Sequence, residues 1–371
     1  LVFHRLLARR DRAAWLPVHL ATGARSWYQF KTGPAWRRLA LPPPVCLTVF
    51  PMSLPLNLTG VLCAGNISHD ILVRPVDEFR WGTNTWVEEY VEDMGGNGSN
   101  TSFALGTLGV PVRLLGMVGR DERGDSLLAK LDSAGVDTRR VGRSRQPTTT
   151  TICVTNSHGD RLFFQRVGAS LEAFAEPVDF TPDLCAGMSH YHQANLYSLP
   201  NLRHNPAEPM RRARQAGLTV SVDTGWAADG RWMEVLAPVL PFTDLLFVNE
   251  DEACMLTGSR EPATIAATLR RHGATHIVLK LGGRGSILFH DEGAIHAPAF
   301  QVPVVDTTGA GDCFAAGFLA ALHRGKSPAE ALRFANAVGA FAVTTLGAVR
   351  GIRPWADIEA WAATAPLAAP L

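Results

Sequence analysis

The sequence predicts an α/β protein in which a central, mostly parallel sheet carries helices on both faces and a small second β-sheet stands apart. Three patterns predict this. Short apolar runs alternate with helical runs through most of the chain, the order that builds parallel strands joined by crossover helices. Two stretches, at about residues 71–94 and 148–168, carry strand-like alternation and interrupt the α/β units. A glycine-containing turn near residue 309 opens a long apolar helix.

The 371 residues, 46% of them hydrophobic, suffice for a sizeable buried core. A formal charge of +1 excludes the basic surface that a dedicated nucleic-acid or membrane-surface protein requires. Cysteines 46, 63, 153, 185, 254 and 313 show no C-x-x-C pair and no metal-ligand spacing, so reduced thiols and a cytoplasmic setting are expected. Residues 1–58 are rich in Arg and Trp, then in Pro, without helical or strand period. They are expected to be a disordered extension, or an upstream reading of a gene whose natural start is Met52. Prolines at 42, 43, 44, 51 and 55 break the apolar run that a signal peptide would need. The folded domain is placed at residues 59–365. No segment has the roughly 20 unbroken apolar residues of a membrane span.

In chain order, Val61 to Gly65 reads as a buried first strand with Asp70 beyond its exit. Gly95-Gly96-Asn97-Gly98-Ser99-Asn100 leads into a helix to about Leu108, ended by Gly109. This cluster fails the dinucleotide fingerprint, because Thr101 stands where the third glycine belongs. Strand-like runs follow at Val112 to Val118, Ala186 to Tyr191, Leu218 to Val222, Leu245 to Val248 and His276 to Lys280. Helical runs lie at Asp125 to Ala134, Ala207 to Ala216, Glu250 to Leu256 and Pro262 to His272. Ligands of such sheets collect at the carboxyl ends of the strands, where Asp223, Asn249 and Gly282 follow. The acidic start at Glu250-Asp251-Glu252 is also what a helix dipole favours by itself. Gly325-Lys326-Ser327 is no P-loop, since Ala320 stands where the leading glycine is required.

The stretch Val305 to Gly317 ends a β-rich run that begins at Phe300 and opens a helix to about His323. A helix N-terminus carries unpaired N–H groups and partial positive charge, so it makes an anion site. Asp312 alone could be an ordinary cap. Gly309 and Gly311 are hard to justify by capping, whereas a general base beside an anion hole needs a carboxylate and bare backbone donors.

Asp306-Thr307-Thr308-Gly309-Ala310-Gly311-Asp312-Cys313-Phe314-Ala315-Ala316-Gly317-Phe318 resembles the C-terminal signature of the PfkB/ribokinase family of carbohydrate and nucleoside kinases. The fifteen residues GGNGSNTSFALGTLG from Gly95 resemble its N-terminal signature, and the likeness covers about Val61 to Trp355. It implies a ribokinase-like fold whose small sheet is a lid over the substrate and a homodimer contact. It implies Asp312 as general base, with the Gly309, Ala310 and Gly311 backbone stabilising the transferring phosphoryl group. Asp70, Ser68, Gly96, Asn97, Gly98 and Asn100 fall on acceptor-binding positions. Ribokinases have Lys at position 97 and Asn at 68, departures that point away from ribose and toward another polyol.

On the donor side the resemblance implies ATP bound by Asn249, Lys280, Gly282, Gly285 and Asn336, although Thr is commoner than Lys at position 280. Glu252 is the implied Mg2+ residue. Asp306, Thr308, Ala342, Thr345, Gly347 and Gly351 match positions that bind a monovalent cation, K+, in ribokinase-like members. The implied activity is ATP-dependent phosphorylation of a hydroxymethyl group of a sugar or related polyol. A nucleoside kinase of the same family is the alternative, with Phe163, Phe164, Tyr191 and Trp86 available for a base slot or simply core. A non-catalytic sugar-binding sensor retaining the fold is the other.

Overall fold

The computed structural model describes residue 54 and residues 58–368, so the expected N-terminal extension lies almost wholly outside the described residues. The main sheet has nine strands. In spatial order they are Gly293–Ala297, Ser286–His290, His276–Lys280, Leu245–Asn249, Thr219–Asp223, His190–Gln193, Val61–Ala64, Val112–Leu115 and Val136–Asp137. All run parallel except the hairpin at 286–297, which pairs antiparallel at one edge.

Strands covered on both faces must be apolar along their whole length. Val61–Ala64 is accordingly apolar and buried at every residue, and Val112–Leu115 is buried throughout with its one charged side chain, Arg113, paired to Asp137 at 2.8 Å. Alternate side chains feed two cores: Phe247 and Val278 enter one, and Leu246, Val248, Ile277 and Leu279 the other. On the first face the Phe247 ring meets Phe314 and Phe318 edge-on, at 6.4 and 5.7 Å between centroids. Those two rings belong to the helix Ala310–His323, so this packing anchors the helix whose first turn faces the sheet's carboxyl edge. Fully burying one such ring contributes about 1.5–3 kcal/mol.

The second sheet has the order Glu89–Gly95, Ser68–Arg74, Thr149–Thr155, Arg161–Arg166. Both expected strand regions supply it, but residues 75–88 between its first two strands in sequence are not strand. Every residue of Arg161–Arg166 is exposed.

Three expectations change. The run Val112 to Val118 is not one strand, since Met117–Gly119 leaves the main sheet and pairs with Gly142–Ser144. The break falls at Gly116, where a Cβ would stand 2.8 Å from the Gly65 carbonyl oxygen. The run expected at Ala186 to Tyr191 forms its strand later, at His190–Gln193, behind the short helix Pro182–Cys185. The run from Phe300 to Val305 forms no strand beyond one bridge from Phe300 to Leu367. Pro298 and Pro303 lack the N–H that a ladder would use. Among the described residues no helix is long and apolar enough to cross a membrane.

Candidate active site

The helix Ala310–His323 begins at Gly309, whose φ is 72° and whose added Cβ would lie 2.5 Å from the Ala348 Cβ. Only glycine meets both conditions. The backbone N–H groups of Gly311 and Asp312 have no acceptor among the described residues, and that of Ala310 reaches the Thr307 carbonyl only at 3.4 Å. The turn is therefore an open set of donors on a positive helix end.

Asp312 is buried in that turn and held from across the chain. Asn97 Nδ2 donates to its Oδ1 at 2.8 Å and Asn100 Nδ2 to its Oδ2 at 2.9 Å. Both asparagines lie on the helix Asn97–Thr107, three residues apart and hence on one face. Gly65 and Gly98 let that helix approach the first strand, since a Cβ on Gly98 would stand 2.8 Å from the Gly65 backbone. Gly96 starts the helix at a φ of 92°. Asn195 Nδ2 donates to Asn97 Oδ1 at 2.9 Å and fixes the amide in turn. Asn97 and Asn100, expected to face the acceptor, thus have their amino groups committed to Asp312. Asn100 Oδ1 stays buried without a partner.

Burial pushes the Asp312 carboxyl up to about 6, against the two amide donors and the Lys280 charge, which lower it. A base with that pKa is deprotonated at neutral pH and lost as pH falls through about 6. Asn97→Ala removes one donor to the ionised form, so the acidic limb of kcat/KM is expected to move to higher pH. A pH–rate profile of the variant beside the wild type checks this.

Asp70 lies across the sheet pair from Asp93, with Ser68 Oγ donating to its Oδ1 at 2.6 Å. Burial pushes this carboxyl to about 6 as well, with the Ser68 and Thr151 hydroxyls working the other way. Its Oδ2 fills the place a Gly95 side chain would take, at 1.8 Å from the Cβ position.

The expected nucleotide residues converge. Asn249, Lys280, Gly282, Gly285 and Asn336 line one cavity of about 480 Å³ together with Ala310 and Gly311. Phe300, Val302, Val304, Phe314 and Val343 give it apolar walls. Asn336 has protein partners there: it accepts from Ser286 Oγ at 3.1 Å and donates to the Ala297 carbonyl at 3.0 Å.

Asn249 and Glu252 form a full capping box at the start of the helix Glu250–Thr257. That accounts for both residues structurally. Glu252 Oε2 accepts from Asn249 N at 3.1 Å and Thr224 Oγ1 at 2.8 Å, leaving Oε1 open. No cluster of three or more His, Cys, Asp or Glu suited to a metal occurs among the described residues. One open carboxylate oxygen near Lys280 and Asp312 fits a hard dication of the kind that takes only one or two protein carboxylates.

Asp306 Oδ1 accepts from Thr308 N and Oγ1, and its Oδ2 accepts from Gly347 N at 3.0 Å. Arg161 of the second sheet donates to Thr308 Oγ1 at 2.9 Å. Ala342 ends the neighbouring helix, and Thr345 Oγ1, buried without a partner, lies 3.2 Å from where a Gly351 Cβ would be. The structure thus brings Asp306, Thr308 and Gly347 together by hydrogen bonds.

Two residues stand out that the sequence reading left without a role. Asn195 carries no motif around it. Asp223 had only its place at a strand end, and nothing in the sequence signals its partner, Lys280. Tyr191, a candidate for a base slot, is instead core, with its ring against Phe180 and its hydroxyl donating to Gln193 at 2.7 Å.

Comparison with known proteins bears on this site. The family described as pfkB family carbohydrate kinase matches residues 59–355. Aminoimidazole riboside kinase of Salmonella typhimurium is 30% identical over 279 residues, 72% of this chain and 87% of that protein. Probable fructokinase-5 of Arabidopsis thaliana is 28% identical over 286 residues, covering 73% of this chain and 88% of the other. The structure of Arabidopsis thaliana ribokinase complexed with ribose and ATP superposes with a TM-score of 0.71 at 26% identity, over 82% of this chain and 98% of that one.

Proposed function

Because the chain belongs to the pfkB family of carbohydrate kinases, and is itself a carbohydrate kinase, we propose that it transfers the terminal phosphoryl group of ATP to a hydroxymethyl oxygen of a sugar or related polyol. One observation carries this reading: the clamped Asp312 carboxylate shares a helix turn with two unpaired amides, at the edge of the cavity lined by Asn249, Lys280 and Asn336.

On this reading the acceptor hydroxyl gives its proton to Asp312 as its oxygen bonds to phosphorus, and the bond from phosphorus to the leaving ADP breaks. The Gly311 and Asp312 amides, presented by Gly309 and Ala310, take the charge on the moving group. Asp70, Ser68 and the free Asn100 Oδ1 hold the acceptor's other hydroxyls, with Gly96, Asn97 and Gly98 shaping the approach. Asn249, Gly282, Gly285 and Asn336 line the donor's place. Glu252 is the residue that would hold Mg2+, which when bound with the nucleotide would neutralise its phosphates. Asp306, Thr308, Ala342, Thr345, Gly347 and Gly351 would hold K+, a reading supported by the orphaned Thr345 Oγ1.

A riboside or nucleoside acceptor is the second reading, favoured by the riboside kinase relative and by Phe163, Phe164 and Trp86, which remain exposed on or beside the lid. Assaying ADP release with fructose, ribose, aminoimidazole riboside and adenosine separates the two. The first reading expects the free sugars to be turned over best. Faster turnover of a riboside transfers the function to the second, and no acceptor-dependent ADP release with any of them overturns both. The sensor alternative is set aside by the family's activity and by the intact Asp312 turn.

The lid supports a homodimer. Ile152, Leu162 and Phe164 are exposed on one face of adjoining strands of the second sheet, where Ile152 stands opposite Phe164, and such an apolar surface is rare on a monomer. Leu162→Glu with Phe164→Glu is expected to convert a dimer to a monomer in light scattering. A monomeric wild type overturns it. The free thiols of Cys63, Cys153, Cys185, Cys254 and Cys313 support a reducing, cytoplasmic setting.

A further inference from the structure

At the carboxyl edge of the main sheet Lys280, one of the residues lining the nucleotide cavity, pairs with Asp223, which has no part in the reaction as described. Lys280, the last residue of its strand, reaches past the end of Leu245–Asn249 to Asp223, the last residue of the strand beyond. Its Nζ donates to both carboxylate oxygens, at 2.7 and 3.0 Å. Spanning two strand spacings takes roughly 9–10 Å, close to the full reach of a lysine stem and its partner. Both side chains are nearly buried, 12% and 6% exposed.

The ammonium also stands against the anion turn. A Cβ placed on Gly311 would lie 3.1 Å from Lys280 Nζ, with no other protein atom nearer. The cation therefore flanks the same turn whose Gly311 and Asp312 amides lack acceptors. Three carboxylates, Asp223, Glu252 and Asp312, surround it, and their attraction outweighs the burial that opposes its charge. A buried ion pair is weak evidence of stability, because desolvation cancels much of the attraction. Its place at the rim of the nucleotide cavity needs another reason.

We propose that Lys280 is a catalytic cation whose ammonium touches the phosphoryl group in transit beside the Gly311 and Asp312 amides, and that Asp223 is the positioning residue that holds it there. This rests on reading residues 309–312 as the phosphoryl site. The bond from phosphorus to the ADP oxygen breaks, the electron pair stays with ADP, the acceptor oxygen bonds to phosphorus, and its proton goes to Asp312. Lys280 keeps its proton throughout and supplies only charge. The threonine commoner at this position in the family has no such charge to give.

The test uses Lys280→Met, Lys280→Arg, Asp223→Asn, and the double variant Lys280→Met with Asp223→Asn, which leaves no lone buried carboxylate. Turnover and KM for ATP are measured, together with the affinity for ADP and Mg2+ with and without aluminium fluoride, a mimic of the phosphoryl group in flight. The double variant is expected to lose about 100-fold in kcat, in the range seen when one preorganised donor is removed. Its KM for ATP stays within about 3-fold, and aluminium fluoride no longer tightens ADP binding. Lys280→Arg recovers part of the loss, and Asp223→Asn alone loses about 10-fold in kcat. A double variant that turns over like the wild type, or still binds aluminium fluoride as tightly, overturns the assignment. Asp312→Asn run in parallel separates the two ideas. If it is inactive while the double variant is active, only the role of Lys280 falls. If both are active, the reading of the whole turn falls.

Discussion

Asp312→Asn is expected to lower kcat by about 10²- to 10⁴-fold, the usual contribution of a positioned general base, while ATP and acceptor affinities change little. The substitution keeps shape and burial, so the helix turn and its free amides persist. What disappears is the proton acceptor. Burial holds the native carboxyl near 6, poised close to the working pH, whereas an amide cannot take the proton at any pH. The acidic limb expected of the wild type near 6 should be absent from the residual activity of the variant. Steady-state kinetics across pH 5 to 9, with binding of ATP and sugar measured separately, decide it. Wild-type turnover in the variant would remove Asp312 from the chemistry.

Gly311→Ala is expected to separate stability from activity more sharply. The residue lies inside the first turn of a helix and, unlike Gly309, is not in the left-handed region. Alanine is the better helix former, so the melting temperature should hold or rise slightly. The new methyl nevertheless stands 3.1 Å from Lys280 Nζ, in the space between the ammonium and the unpaired amides. A phosphoryl group arriving there meets carbon where it needs a donor. Every amide is kept, so the loss is one of position, and turnover should fall by about 10²-fold, the cost of misplacing a reacting group by roughly 1 Å. A variant that melts like the wild type and works like it would place the phosphoryl group elsewhere.

What could be read from the sequence followed from local chemistry. The turn before Asp312 announces itself because two glycines flank the approach to a carboxylate at a helix start, although Gly309 proves to be the N-cap that only glycine can be there. The strands at 245 and 276 were legible because two-sided burial leaves an unbroken apolar run. The hairpin at 286–297 escaped notice. Its outer strand Gly293–Ala297 is mostly exposed and carries no clean alternation. Residues 112–118 misled because Gly116 moves the chain out of the sheet through a contact with Gly65, some fifty positions away in sequence. The capping box at Asn249 and Glu252 was visible as an acidic helix start, but only the coordinates separate the Glu252 oxygen used by the cap from the open one. Pairs such as Lys280 with Asp223 and Asn195 with Asn97 depend on the order of strands in space, which local patterns do not encode.

The clamp on Asp312 also has a consequence in time. Its two asparagines precede it by 215 and 212 residues, and the first strand sits inside the sheet, between His190–Gln193 and Val112–Leu115. Contacts of such long separation form late, after the intervening chain has been ordered. A chain that extends only to residue 311 already contains all nine strands of the main sheet and still lacks Asp312, the residue both asparagines clamp. The residue proposed to take the acceptor's proton is thus supplied only after every strand of the main sheet has been made.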